Sequence, residues 1–217
     1  ADAEIRKLAE KANIPVTNTL MALGVFPETH KLAVEMLGMH GTVYANYAVN
    51  ECDLLISVGA RFDDRITGKV SAFAPNAKII HIDIDPTAIS KSIRVDLPVV
   101  GDAKRILKKL LPKIKANKRT AWVKQIQEWK KKFPLGYKAD GLRPQYVVEK
   151  IWELTKDRDT IITTEVGQNQ MWAAQFYKYT RPRSFLSSGG MGTMGYGFPA
   201  AIGAQLGKPK SLVIDIA

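Results

Sequence analysis

DLLISVGARFDDR (residues 53–65) and KIIHIDIDP (residues 78–86) each begin with a short β-branched apolar run and break into a polar turn. Such runs, too short for helices and separated by stretches of helical spacing, predict strands of a parallel sheet with helices packed on its faces. Asp53 to Val58 and Lys78 to Asp83 are the clearest strands, with Ile14 to Thr17 and Leu97 to Val100 as two more. Ala3 to Ala12, Thr42 to Glu51 and Ala103 to Lys115 read as helices. Strand, turn and helix recur every ~20 to 30 residues, as doubly wound α/β units require.

Pro134, Gly136, Gly141 and Pro144 interrupt the helical pattern, after which the alternation resumes. Gln145 to Leu154 reads as helix, Asp159 to Thr164 as strand and Gln168 to Tyr177 as helix. After a glycine-rich loop, Pro199 to Leu206 reads as helix and Ser211 to Ile216 as strand. The expected fold class is therefore α/β: a doubly wound parallel sheet over residues 1–116, a basic helical linker over 117–140, and the beginning of a second α/β unit over 141–217. Both ends look cut, since the chain starts within a helix without Met and stops at the end of a strand, where α/β folds place functional turns.

The 217 residues, 46% hydrophobic and 24% charged, exclude disordered and collagen-like classes. No apolar run reaches the ~18 residues of a membrane span, and no secretory leader pattern opens the chain, so a soluble cytoplasmic protein without membrane attachment is expected. Cys52 is the only cysteine, which excludes an intrachain disulfide, and it reads as a small buried hydrophobe. The net charge of +11 is concentrated: Lys104 to Lys132 holds 12 basic residues and one acid, Glu128, and the rest of the chain is balanced. That segment is interleaved with Ile106, Leu107, Leu110, Leu111 and Ile114 at helical spacing and reads as the solvated face of connecting helices. No nucleic-acid reading motif accompanies it, so no nucleic-acid partner is expected.

Five of the 16 glycines fall within nine residues, from Gly189 to Gly197. Such density requires unusual dihedrals or a close backbone approach, to a ligand or within a tight turn. Val166-Gly167-Gln168-Asn169 follows a strand and opens a helix, a place suited to phosphate or to helix capping. Gly59 to Arg65 sets two arginines and two carboxylates on one loop, for a diphosphate or for mutual pairing. An acid such as Asp83 at the end of the next parallel strand suits ribose hydroxyls, while Asp85 before Pro86 suits a turn cap. Leu37 to Gly41 could bring backbone toward a flat ligand, or Met39 could be core. His30, His40 and His81 are spaced as no metal triad.

In order along the chain, TNTLMALGVFPETH, MLGMHGTVYAN, GARFDDRITG, HIDIDPTAI, VGQNQMWAAQ and SGGMGTMGYGFPAAIGAQ together resemble the acetohydroxyacid synthase (acetolactate synthase) large catalytic subunits of the thiamine-diphosphate enzyme superfamily. The resemblance covers essentially the whole chain. It implies a transferase that decarboxylates pyruvate on thiamine diphosphate and joins the two-carbon unit to pyruvate or 2-oxobutyrate, beginning branched-chain amino-acid synthesis. It implies FAD in a middle domain, without a net redox role, and thiamine diphosphate with Mg2+ in a last domain. A homodimer or tetramer with a small regulatory subunit follows, in the cytoplasm or, in a eukaryotic source, a plastid.

Position by position, the resemblance implies FAD contacts at Thr19, Leu20, Met21, Leu37, Gly38, Met39, His40, Gly59, Arg61, Asp63, Arg65, Ile66, Asp83, Ile84, Asp102 and Ala103. It implies Val166, Gly167, Gln168 and Asn169 beside the thiamine cofactor's diphosphate, and Gly192 and Met194 at its aminopyrimidine, where Met194 supports the bent, reactive shape. Asn169 stands where many of the family carry histidine. No catalytic residue and no metal ligand is expected among these residues; the activating glutamate and metal ligands of the family would lie outside them, so this chain alone is expected to be inactive. Within the superfamily the alternatives are glyoxylate carboligase and pyruvate oxidase. Outside it the alternative is a non-catalytic FAD-binding fragment.

Overall fold

Every strand ladder in the structure, a computed structural model describing residues 1–138 and 140–217, is parallel. Ala139, in the segment expected as linker, lies outside the described residues. The apolar runs of the opening motifs form β3 (Leu54–Val58) and β4 (Lys78–Asp83), and β5 (Leu97–Val100) completes a three-stranded sheet in the order β3-β4-β5. In the second unit β6 (Thr160–Thr164) lies between β7 (Phe185–Ser187) and β8 (Leu212–Ile216). The single sheet expected for the first unit divides instead. β1 (Val16–Asn18) pairs with β2 (Ala33–Met36) in a separate two-stranded sheet whose register shifts between Val16 and Asn18.

β2 and β7 had no counterpart among the expected strands, because four and three residues carry too little alternation to read. β1 begins two residues after the expected Ile14. Helix α1 (Asp2–Ala12) ends on a left-handed Asn13 (φ 50), the Ile14 amide donates to the Ala9 carbonyl, and Pro15 has no amide to give a ladder. The remaining helices are α2 (Val43–Glu51), α3 (Asp64–Thr67), α4 (Ala103–Leu110), α5 (Thr120–Lys132), α6 (Pro144–Thr155), α7 (Gln168–Phe176) and α8 (Gly197–Gly207). α4 stops five residues short of the expected Lys115, since Pro112 turns Leu111–Lys113 into a 3-10 turn. α8 starts two residues before Pro199, which occupies the first turn where no amide partner is needed.

Ile82, Leu107 and Leu8 bury α1 and α4 against one face of β3-β4-β5. The opposite face is covered by loops carrying Phe62, Phe73 and Ile93 over Ile79. In the second unit β6 is buried along its whole length, as a central parallel strand should be. Its threonine hydroxyls are paired: Thr163 donates to Asp215 Oδ1 (2.7 Å) and Thr164 bonds Ser187 Oγ (2.7 Å). The core around β6 also takes in Leu23 and Met36, with Val148, Ile162, Ala173, Phe176, Tyr179 and Phe185, so residues from both units share one apolar cluster. Each such large side chain contributes roughly 1.5–3 kcal/mol by leaving water.

The basic segment is amphipathic. Trp122, Ile126 and Trp129 of α5 pack on α2 through Tyr44, Ala45 and Val49, while Lys130 Nζ donates to the Ala33 carbonyl (2.6 Å) and lies over the Tyr44 ring. Cys52 is half-buried rather than core; its thiol donates to the Val49 carbonyl, and burial first, then Asp53, pushes its pKa up to about 11. Among the described residues no helix is long and apolar enough to cross a membrane.

Candidate functional site

Parallel pairing brings the carboxyl ends of β3, β4 and β5 to one edge, so their following turns cluster there. After β3, Gly59 takes φ +71, with open space where a Cβ would stand. The loop then turns at Phe62 (φ +54), whose ring is buried beneath it, and Asp63 caps α3 by accepting from the Ile66 amide (3.2 Å). The mutual pairing of arginines and carboxylates is present. Arg61 pairs with Asp63 (2.7 Å) and Arg65 with Asp64 (3.4 Å), yet both guanidinium chains remain 68% exposed. Exposed ion pairs of this kind hold their partners weakly and can re-pair with a diphosphate.

At the end of β4, Asp83 Oδ1 accepts from the Asp85 amide (2.9 Å) and its carbonyl accepts from the Gly101 amide (2.8 Å), tying it to the turn after β5. Asp102 there caps α4 through the Arg105 amide (2.8 Å). Asp85 does cap the turn, and its hydrogen bonds from the Thr87 hydroxyl and amide hold its carboxyl below the usual range. Ile84 is 71% exposed beside these groups, and Val100 at the end of β5 is 55% exposed, so the edge carries apolar as well as polar surface.

The Leu37 to Gly41 segment docks on the arginine loop. The Met39 amide donates to the Arg65 carbonyl (2.7 Å), and a Cβ on Gly38 (φ +95) would strike that same oxygen. Asn46, the last residue of MLGMHGTVYAN and not among the expected contacts, grips Gly38 from α2: its Oδ1 accepts from the Gly38 amide (2.8 Å) and its Nδ2 donates to the Gly38 carbonyl (3.0 Å). Met39 is 61% exposed, so the core reading for it does not hold. Gln175 of α7 donates to the His40 carbonyl (2.8 Å), joining this segment to the second unit.

Thr19, Leu20 and Met21 meet the other cluster. A side chain at Gly189 would run into Met21 Sδ and come within 3.6 Å of Leu20 Cδ2, so this 3-10 turn rests on the glycine-rich loop. Within that loop Gly192 (φ +66) faces Val166 Cγ2, and the Gly195 amide donates to the Glu165 carboxylate. Gly197 has no room for a Cβ beside Asp215 and the Glu165 amide. At the 166–169 turn, Gly167 (φ +144) opens α7, and Asn169 Nδ2 donates to the Ile216 carbonyl (2.7 Å), which ties the turn to β8. Gln170 is buried and donates to Ser187 Oγ. Met194 is 78% exposed on the same loop as Gly192. Glu165 and Gln175 escaped the sequence reading because their partners are distant in sequence, and Asn46 because a turn, not a regular element, brings Gly38 back to it.

Both implied cofactors fit these residues. Two exposed guanidiniums, an oriented Asp83, the space at Gly59 and the bare Ile84 and Met39 surfaces suit a dinucleotide with a flat ring. Glycines that disfavour side chains at 167, 192 and 197, with an exposed Met194 on the same loop as the last two, suit a diphosphate with an aromatic ring.

Two family models match: the thiamine pyrophosphate enzyme central domain over residues 1–110, and the thiamine pyrophosphate enzyme C-terminal TPP binding domain over residues 165–217. The chain is 53% identical to a probable acetolactate synthase large subunit of Methanocaldococcus jannaschii, covering 100% of this chain and 38% of that protein. It is 48% identical to the acetolactate synthase large subunit of Buchnera aphidicola subsp. Schlechtendalia chinensis, over 98% of this chain and 38% of that protein. It is 50% identical to acetolactate synthase 1, chloroplastic, of Oryza sativa subsp. japonica, over 98% and 34%. The chain thus spans a little over a third of the length of these relatives.

Proposed function

This chain belongs to the thiamine pyrophosphate enzyme family, and on that premise we propose that it is part of an acetohydroxyacid synthase catalytic subunit. The reaction is decarboxylation of pyruvate and transfer of the two-carbon unit to pyruvate or 2-oxobutyrate. The observation that supports this reading is the seating of Leu20 and Met21 on the glycine-rich loop at Gly189, which brings two of the motifs that carry the resemblance together.

Thiamine diphosphate supplies, when bound, the electron sink that decarboxylation requires. The residues of this chain bind and shape. The Val166 to Asn169 turn presents backbone amides of the α7 N-terminus to the diphosphate, with Asn169 held in place by Ile216. Gly192 would accept from the aminopyrimidine through its carbonyl, and the exposed Met194 would serve as an apolar support. For FAD, Arg61 and Arg65 hold the diphosphate, Asp83 the adenosine ribose, and Asp102 and Ala103 flank it at the start of α4. Thr19 to Met21 and Leu37 to His40 line the flavin side, with Gly59, Asp63, Ile66 and Ile84 completing the contour. Mg2+ would neutralise the thiamine cofactor's diphosphate, and no residue of this chain is assigned to it.

The division into residues 1–116, 117–140 and 141–217, a homodimer or tetramer, a small regulatory subunit and a cytoplasmic or plastid location belong to the same proposal. The test is acetolactate formation from pyruvate by the full-length protein with thiamine diphosphate, Mg2+ and FAD. Activity is expected, and is expected to vanish when thiamine diphosphate and Mg2+ are dialysed away. Bound flavin without any acetolactate would replace this reading with a flavin-binding module.

A further inference from the structure

β4 places His81 two residues before Asp83, so both side chains leave the strand on one face, opposite the side covered by α1 and α4. His81 is wholly buried at 0% exposure, and among the described residues neither ring nitrogen has a hydrogen-bond partner. The Ser57 hydroxyl, from the residue paired with His81 across the β3-β4 ladder, is likewise buried and without a partner. Buried polar groups without partners are costly and need a reason. Nε2 of His81 lies 3.5 Å from Oδ2 of Asp83, whose side chain is 13% exposed at the surface edge. The imidazole also meets Phe62 edge-on, with ring centroids 5.0 Å apart, beneath the arginine loop.

We propose that His81 is a positioning residue for nucleotide recognition: its Nε2–H holds the Asp83 carboxylate turned toward the vicinal hydroxyls of the adenosine ribose of a bound dinucleotide. The inference rests on the flavin reading above. The Asp85 amide already fixes Oδ1 of Asp83. With Oδ2 held by His81, the carboxylate cannot turn about its Cβ–Cγ bond, and its outward lone pairs stay free for hydroxyl donors. The 3.5 Å separation is longer than a formed hydrogen bond and shortens as the ribose draws Asp83 into place. Through Phe62 the same ring braces the loop that carries Arg61 and Arg65, so one buried imidazole supports both the ribose and the diphosphate contacts.

The test uses the full-length protein stripped of flavin, with FAD and FMN affinities read from flavin fluorescence. His81→Phe keeps the ring and its contact with Phe62 but removes the donor; His81→Gln returns an amide donor. FAD affinity is expected to fall about tenfold or more in His81→Phe and to return to within about threefold of wild type in His81→Gln. FMN, which lacks the adenosine ribose, is expected to bind equally to all three. Equal FAD affinity in wild type and His81→Phe overturns the proposal, as does an equal loss for FAD and FMN. If His81→Phe does not fold, the wild-type imidazole decides: its Nε2 proton resonance moves downfield on FAD addition if the proposal holds, and an unmoved resonance overturns it. A wild type that binds no flavin overturns the cofactor reading itself, and this inference with it.

Discussion

Glu28 is an acid that folding keeps protonated. Its carboxyl accepts from the Tyr179 amide (2.7 Å), while its own amide donates to the Tyr179 carbonyl (3.0 Å), and burial pushes its pKa up from 4.5 to about 8. A carboxyl raised on folding stabilises fully below its unfolded pKa and loses that contribution as pH climbs toward the folded value. Melting temperature should therefore fall between pH 5 and pH 8, and Glu28→Gln, which keeps the acceptor and removes the titration, should flatten that slope and melt higher than wild type at pH 8. Differential scanning calorimetry across that range checks it; an equal slope in both proteins would refute the assignment. At the same scale, Asn46→Ala strips both partners from Gly38, and urea unfolding should show a loss of about 1–3 kcal/mol.

Helix starts do much of the positioning at the level of elements. Thr42, Asp63 and Asp102 each accept an amide at the N-terminus of α2, α3 or α4, so three turns of the candidate site are set by capping side chains. Asp102→Ala should cost ~1 kcal/mol in denaturant unfolding and weaken FAD retention, since the α4 N-terminus no longer has a fixed approach. Gly38→Ala should act more strongly on flavin than on global stability, because its Cβ displaces the Arg65 carbonyl and with it the arginine loop; equilibrium dialysis against FAD measures it. Elements of this size were also what the sequence revealed best. Lys78–Asp83 and Leu97–Val100 occur as read, because β-branched runs bounded by turn residues have few other outcomes. β2 stayed hidden because its four residues carry too little alternation to read. The arginine loop and the glycine loop were legible from composition alone, whereas the grip of Asn46 on Gly38 and the seat of Met21 on Gly189 were not: spacing along the chain reports local periodicity, and these contacts are set by tertiary packing.

Across the whole molecule the two units are held by more than a linker. Leu23 and Met36 enter the core around β6, and Lys178 Nζ pairs with Glu35 Oε1 (2.9 Å), whose other carboxylate oxygen accepts from Tyr44. Shared apolar cores and cross-unit charge pairs favour a single cooperative transition. Tryptophan emission should report one midpoint for Trp122 and Trp129 on α5 and for Trp152 and Trp172 of the second unit, tested with variants retaining only one pair. Leu23→Ala should shift both by the same amount, losing about 2–5 kcal/mol; separate midpoints would show that the units unfold independently.

The reciprocal bond between Glu28 and Tyr179 spans 151 positions. A ribosome adding ~5–20 residues per second needs ~8–30 s to travel that distance, and for most of that interval the nascent chain carries Leu23 and Met36 without the partners that will cover them. Vectorial synthesis thus leaves the early-made half with a sticky, unfinished flank, the kind of surface that holdase chaperones shelter until the last strands emerge.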